Sequence, residues 1–497
     1  MLRPLSQTDL QTQPQSEPSQ TRRTALVVRI VTAGIALGLV LLAAVMDRPV
    51  VQGGAVLGWV QSGVLAAAVC IGSLCFAPLS WNQNALTVLA SVGISLVVAE
   101  IVLRGTLGAQ FEPIYRLDDR VLFRLVPSAE RFTVLPPFHG GAVIRYRINS
   151  QGFRGAELAR PGEFATRVLV YGDSFIQADF SRTEDTFTEQ LKGRLARNTG
   201  KSVEVVNAGV QGYGPDQELR RMEQELPALR PDLVIVALYT GNDFEDLLRN
   251  KLYRLSSDGS LQDNNSMVLD AALVTATTRR RSEPILRKIM RAAYIRLAGT
   301  QLVSHSLEAR RARWDAYVKE AIDEYRQYVI EGDNAVHTWD DPYNADVSVT
   351  PASESARYKI ALMEQIMRRM GDTAAKNNAA LVFLLIPSLI DAADTHEWAE
   401  VDPVKYPEYR RSTLTVILEQ ICQRNGFRVV NLFGPFWERR TDDLYLTGDS
   451  HWNPRGQAHA AELVSEFVSA QNLLGGPSPD TEMDQRASGR QQRESGQ

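Results

Sequence analysis

Between Pro49 and Ala99 the chain carries no Asp, Glu, Lys or Arg, and a further apolar stretch, Ile30 to Met46, precedes that run. Lipid offers nothing for an exposed backbone to hydrogen-bond, so such segments are confined to helices of about 20 residues per crossing. The sequence predicts three crossings within residues 22–104, near 25–46, 54–77 and 85–103. Pro78 to Asn84 is the polar break between the second and third, where Trp81 suits an interface. A cleaved signal peptide at 22–46 would account for the first run and not for the two after it. Arg3, Arg22, Arg23 and Arg29 flank the first crossing, which by the positive-inside rule leaves that end in the cytoplasm. Three crossings then export everything after Arg104.

Residues 1–21 are rich in Gln, Ser, Thr and Pro and have too little apolar content to offset the entropy of ordering, so a disordered cytoplasmic tail is expected. Residues 473–497 are expected to form a second disordered tail. The remainder of the 497 residues is long enough for a sizeable core. Lys plus Arg number 54 against 58 Asp plus Glu, a balance that gives no reason to expect nucleic acid as a partner. Of the three cysteines, Cys70 and Cys75 lie in the apolar run and Cys422 stands alone in the polar part, so no disulfide is expected there. No CxxC, HExxH or Cys/His cluster occurs, and neither a metal nor a cofactor is expected.

Residues 105–165 read as a β-rich lead-in, with short pieces at Arg120–Val126 and Ala142–Ile148 and turn residues at Pro136-Pro137 and Gly140-Gly141. From 166 to 472 the pattern changes. Val168–Tyr171, Val203–Asn207, Leu233–Leu238, Leu381–Ile386 and Phe427–Leu432 are short, β-branched and nearly continuous in apolar character, the mark of parallel strands covered on both faces. Helical stretches at 184–197, 215–227, 354–375, 411–425 and 454–470 alternate with them, giving a doubly wound α/β domain. An insert at about 250–350 interrupts the alternation. Its basic cluster, Arg279, Arg280, Arg281, Arg287, Lys288, Arg291 and Arg296, reads as a solvated helix face, with phospholipid headgroups or an anionic glycan as the sharper alternative. Trp314, Tyr317, Tyr325 and Tyr328 follow at helical spacing and are expected to pack as core rather than to form a sugar platform.

Three polar, glycine-containing turns follow the first three strands: Gly172-Asp173-Ser174, Asn207 to Gly212, and Gly241-Asn242-Asp243. Ligands of open α/β sheets bind outside the carboxyl ends of strands, where these turns converge. A serine attacking an ester needs backbone N–H groups and a side-chain amide aimed at the developing oxyanion. Gly212 can supply the first, because no Cβ blocks close approach, and Asn242 the second. Gly-Asp-Ser alone selects nothing, since Gly448-Asp449-Ser450 repeats it. A base is also required. Among the six histidines, His139, His305, His337, His396, His451 and His459, only His451 has a carboxylate two residues earlier and a helix start just after it, with Asn453 as N-cap and Pro454 at the first helical position. Asp449 would hold the ring in the correct tautomer and stabilise the imidazolium. His459 is expected to be structural.

In this order, Gly172-Asp173-Ser174-Phe175, Gly212, Gly241-Asn242-Asp243 and Asp449-Ser450-His451 resemble the four blocks of the SGNH (GDSL-type) hydrolases over residues 166–472. The resemblance implies a flavodoxin-like three-layer α/β/α fold. It implies Ser174 as nucleophile, Asp449 and His451 completing a triad, and an oxyanion hole formed by the Ser174 N–H, Gly212 and Asn242. One departure is the spacing: the family has Asp-x-x-His, whereas Asp449-x-His451-Trp452 is similar to the element of the branch related to alginate O-acetyltransferases. Asn149 to Arg154, Asn-Ser-Gln-Gly-Phe-Arg, also looks like the lead-in of membrane-tethered bacterial SGNH proteins linked to exopolysaccharide modification.

Together these features imply a protein of the bacterial inner membrane with its catalytic domain on the periplasmic side, acting on O-acyl groups of a cell-envelope or exported polysaccharide. Its partners would be the acylated glycan, the bilayer through residues 22–104 and a membrane acyltransferase. Water as second nucleophile makes an esterase and a sugar hydroxyl a transferase; the first half-reaction is common to both. A lipase or thioesterase, or a non-catalytic glycan-binding scaffold, are the competing expectations.

Overall fold

The computed structural model describes residues 18–45, 50–51, 54–55, 59–107, 114–135, 143–160, 163–265, 267–269, 307–336, 344–392, 401–439, 443–446 and 449–475. They fall into two compact units, Met1–Gly105 and Thr106–Gln497.

In the first unit, helices α1 (Pro18–Val45), α2 (Trp59–Ser73) and α3 (Leu79–Leu107) follow the apolar runs. The first begins inside the stretch expected to be a disordered tail. Helix α2 returns antiparallel along α1: Gly72 lies against Ala36, and the Cys75 thiol is 3.6 Å from the Arg29 carbonyl. Asn82 ties the turn to α1, its Oδ1 accepting from the Thr32 hydroxyl at 2.6 Å and its Nδ2 donating to Leu74 O at 3.2 Å. By length and composition α1 over Arg22–Leu41 and α3 over Leu79–Leu103 can cross a membrane. The middle segment is shorter than the expected 54–77, because Gly54–Ala55 pairs antiparallel with Val50–Val51 and the helix starts only at Trp59. Its 15 residues rise about 22 Å, and the 3₁₀ turn Leu74–Phe76 adds about 6 Å, against a hydrocarbon thickness of about 30 Å.

The second unit is built on five parallel strands: β5 (Thr166–Tyr171), β6 (Val203–Asn207), β7 (Leu233–Tyr239), β8 (Ala380–Ile386) and β9 (Arg428–Asn431), the first four strand labels belonging to the lead-in below. Their spatial order is β9-β8-β7-β5-β6. Val168 faces Val205 on one side and Leu233 on the other, and Val382 faces Ile235 and Arg428. Numbered within the sheet this is 2-1-3-4-5, the flavodoxin-like arrangement, whose switch point lies between β5 and β7. Alternate residues feed two cores. Val168, Val170, Ile235 and Ala237 pack with α5 (Phe187–Thr199) and α13 (Pro454–Ala470); Leu169, Tyr171, Val234 and Val236 pack with α6 (Pro215–Leu229) and α10 (Glu354–Lys376). The expected three-layer α/β/α domain is what the chain forms.

The lead-in consists of two hairpins, β1 (Tyr115–Asp118) with β2 (Leu122–Leu125), and β3 (Glu130–Val134) with β4 (Val143–Arg147). The sequence pattern revealed only β2 and β4; their partners carry too many charged residues to read as strands. Arg154 then bridges Asn207, so the lead-in covers the free edge of β6.

The described part of the insert packs against the same core. On α8 (Leu307–Tyr325) Trp314 and Tyr325 are buried and Tyr317 is half-buried, and Tyr328 is buried in the π-helical turn that follows (Arg326–Ile330), so the aromatics serve as core. A short helix α9 (Ala345–Val349) contributes Asp346, which with Glu245 on α7 (Asp243–Asn250) binds Lys359 of α10. All three side chains are buried, and the Lys359 ammonium also reaches Ala321 O at 3.3 Å. An ion kept from water needs such a full set of partners, and here they join four helices. The basic cluster at 279–296 lies outside the described residues, as do His139, His305, His337 and His396. Residues 473–475, expected in the tail, belong to the domain: Leu474 is buried and its carbonyl accepts from Lys201 Nζ at 2.9 Å.

Candidate active site

Strand β5 ends at Tyr171 and the chain turns at once into α4 (Ser174–Gln177). Gly172 permits the turn, since a Cβ there would collide with Ile176 Cγ1. Asp173 caps the helix, Oδ1 accepting from the Phe175 N–H at 2.9 Å. Ser174 is thereby the first helical residue at the carboxyl edge of β5, half-buried, with its hydroxyl free to meet a partner from another turn.

That partner comes from the loop before α13. Leu446 N donates to His451 O at 2.8 Å and Tyr445 bridges Trp452, while Asn453 Oδ1 accepts from Arg455 N at 2.8 Å and Gly456 N at 3.1 Å, the cap expected from the sequence. His451 Nε2 lies 2.7 Å from Ser174 Oγ. Its Nδ1 lies 2.5 Å from Asp449 Oδ1, which also accepts the His451 backbone N–H at 2.9 Å. A carboxylate can only accept, so Nδ1 carries the proton and Nε2 presents its lone pair to the serine hydroxyl. The ring is flanked by Phe175 and Phe180, with centroids at 5.1 Å and 5.0 Å. Its side chain is 19% exposed and that of Asp449 28%, so the site is open to solvent along one rim. His459, by contrast, is buried on α13, stacked on Phe436.

Gly212 and Asn242 occupy the neighbouring turns. The turn Val210–Tyr213 is closed by Tyr213 N donating to Val210 O at 3.1 Å, with Gly212 in third position at φ +76°, the conformation of a type II turn. Its closing bond uses the N–H of Tyr213 and not that of Gly212. Val210 N donates to Gly172 O at 3.0 Å, which ties this turn to the one that carries Ser174. Asn242 follows β7 as the N-cap of α7 and is buried. Because β5 and β7 are adjacent, Ser174 and Asn242 stand on either side of the switch point.

Two further residues organise these turns, and neither was legible in the sequence. Asn344, from the insert, is fully buried; its Nδ2 donates to Thr240 O at 2.8 Å, its Oδ1 accepts from Glu245 N at 2.8 Å, and its own N–H donates to Gly241 O at 3.1 Å. Gln177, also fully buried, joins α4 to the Gly212 turn. Beneath them sit Asp173, Asp216, Glu218, Asp243 and Asp246, all buried. Burial pushes Glu218 and Asp243 well above the usual carboxylate range, with the nearby Asp173 adding to it, and burial pushes Asp216 up to about 7.

No family model matches the chain and no curated protein matches it. Among solved structures it is similar to a lipolytic protein of the G-D-S-L family from Desulfitobacterium hafniense DCB-2, at 12% identity and TM-score 0.29 over 61% of this chain and 99% of that one. It is similar to an acetyl xylan esterase at 12% identity and TM-score 0.31, over 61% and 99% of the two chains. A third is an acetylxylan esterase from Geobacillus stearothermophilus, at 13% identity and TM-score 0.30 over 61% and 94%. The fold rests on the strand order and register above, and the site on its own hydrogen bonds: a hydroxyl facing a basic ring nitrogen whose other nitrogen is held by a carboxylate.

Proposed function

We propose that the chain is a serine-dependent esterase or acyltransferase of SGNH type. The observation that carries this reading is the unbroken chain Ser174 Oγ, His451 Nε2, His451 Nδ1, Asp449 Oδ1 at 2.7 Å and 2.5 Å, at the carboxyl edge of a parallel sheet. His451 removes the Ser174 proton as Oγ attacks the ester carbonyl. The oxyanion is held by the N–H groups of Ser174 and Gly212 and by the Asn242 amide. Collapse of the adduct expels the alcohol, which takes its proton from His451, and leaves an acyl-Ser174. A second nucleophile, water or a sugar hydroxyl, then reverses these steps.

The substrate on this reading is an O-acyl, most simply O-acetyl, group of a cell-envelope or exported polysaccharide. The Asp449-x-His451-Trp452 and Asn149–Arg154 elements support that choice, as does the partial exposure of His451 and Asp449 at the rim. The first unit anchors the chain in the bacterial inner membrane. Antiparallel return of α2 along α1, followed by the long α3, supports three crossings and a periplasmic catalytic unit, where a membrane acyltransferase could supply the acyl group. Release of acetate from p-nitrophenyl acetate by the full-length protein in detergent tests the chemistry: Ser174→Ala is expected to abolish it, and equal rates in both forms would overturn the assignment.

A further inference from the structure

Gln177 sits at the end of the single turn that begins with Ser174, and its side chain lies between the lead-in and the turn that carries Gly212. Its Oε1 accepts the backbone N–H of Gln211 at 2.6 Å. Its Nε2 faces Asp179 Oδ1 at 2.6 Å and the hydroxyls of Tyr115 and Tyr146 at 2.9 Å and 3.1 Å. An amide offers two N–H hydrogens on one side and one carbonyl oxygen on the other. Only this orientation puts the hydrogens on the Asp179 carboxylate and the oxygen on the Gln211 N–H; the flipped one sets donor against donor and oxygen against carboxylate. The amide is therefore locked.

What locks it comes from the lead-in. Tyr146 of β4 donates its hydroxyl to Asp179, and Arg131 of β3 places Nε 3.7 Å from Asp179 Oδ2. Arg154 lies over the Tyr146 ring at 3.9 Å, donates to Ser181 O at 2.7 Å, and also grips the carbonyls of Gln177 and Ala178. Tyr115 of β1 holds Gln177 and reaches Gln211 Oε1 at 3.2 Å. In a type II turn the N–H of the third residue points out of the turn, and its direction follows the plane of the preceding peptide. That peptide joins Gln211 to Gly212, and Gln211 is held by its own N–H on Gln177.

We propose that Gln177 is a positioning residue: through Gln211 it sets the direction of the Gly212 N–H relative to Ser174, and the lead-in, by fixing Gln177, is a working part of the oxyanion site. This rests on the reading of Ser174 as nucleophile and Gly212 as oxyanion donor. Gln177 touches no reacting atom; it acts on the geometry that transition-state stabilisation depends on, where a displacement of an ångström costs about a hundredfold in rate.

The test uses the full-length protein in detergent with p-nitrophenyl acetate, comparing Gln177→Met and Ser174→Ala with the parent. Methionine fills nearly the same volume and removes only the polar contacts, so a packing role would leave the rate intact. The expected result is a fall in kcat of about 100-fold with KM within twofold, at a temperature below the melting transition of both proteins. A kcat within threefold of the parent, or a change confined to KM, overturns the proposal. Should Gln177→Met not accumulate as folded protein, Tyr115→Phe takes its place: loss of the hydroxyl that meets Gln177 and Gln211 is expected to lower kcat about fivefold at constant KM, and an unchanged kcat overturns the proposal. Ser174→Ala separates the two levels. If it retains the parent rate, the nucleophile reading falls; if it is inactive while the Gln177 variant is not impaired, the positioning role alone falls.

Discussion

Asp449 Oδ1 accepts two hydrogen bonds from His451, the backbone N–H at 2.9 Å and ring Nδ1 at 2.5 Å. The shorter Asp-x-His spacing is thus geometrically sufficient. A carboxylate two residues upstream reaches the ring because the loop folds back on itself, with Leu446 N donating to His451 O at 2.8 Å and Asp449 N to Leu446 O at 3.1 Å. On the proposed mechanism, Asp449→Ala removes both the orienting acceptor and the charge that would stabilise the imidazolium. The expected outcome is a loss of about 10³- to 10⁴-fold in kcat for acetyl ester hydrolysis with little change in melting temperature, since the residue lies on the rim. Parent-like turnover would remove Asp449 from the triad.

Asn344 gives a prediction that reads stability. With the side chain shortened in Asn344→Ala, the Thr240 carbonyl loses its 2.8 Å donor in a fully buried position, and Glu245 N at the start of α7 keeps only Asn242 O of its two acceptors. Leaving one buried backbone group unpaired costs about 1–3 kcal/mol, which a shift in the denaturant midpoint would report. The same turn carries Asn242, so kcat is expected to fall with the stability. A variant as stable as the parent would mean that the insert does not brace this turn.

The strands of the sheet were legible because each is apolar on both faces: Val203–Asn207 was placed to the residue, and Leu233–Leu238 and Leu381–Ile386 to within one. The convergence of Ser174, His451 and Asp449 was legible because they fall at a strand end and just before a capped helix start. Gln177 and Asn344 were not, since an amide in a short helix and an asparagine in an insert carry no local mark. Their roles arise from partners distant in sequence, such as Gln211 and Thr240, whose contacts exist only once β5, β6 and β7 lie side by side. The strands Tyr115–Asp118 and Glu130–Val134 escaped for a related reason. Their outward residues are charged, and pairing with β2 and β4 rather than periodicity defines them.

Asp216 turns a buried carboxyl into a pH test. Its Oδ1 accepts from Asn250 Nδ2 and Gln217 N at 2.9 Å each, while Oδ2 has no partner among the described residues, and burial lifts the group from its ordinary 3.8 to about 7. A folded-state pKa raised above the unfolded one means that the native protein holds a proton the unfolded chain gives up. The contribution is fully present below about pH 4 and is lost as pH rises toward 7. The rise from 3.8 to about 7 corresponds to at most about 4 kcal/mol across that window. Asp216→Asn keeps the shape and the Oδ1 contacts and has nothing to ionise. Denaturant midpoints measured from pH 4 to pH 8 are therefore expected to diverge, the variant gaining on the parent as pH rises and the two lying closest at pH 4. Parallel curves over the range would show that Asp216 is already ionised in the folded protein, its charge met by solvent or a counter-ion rather than suppressed by burial.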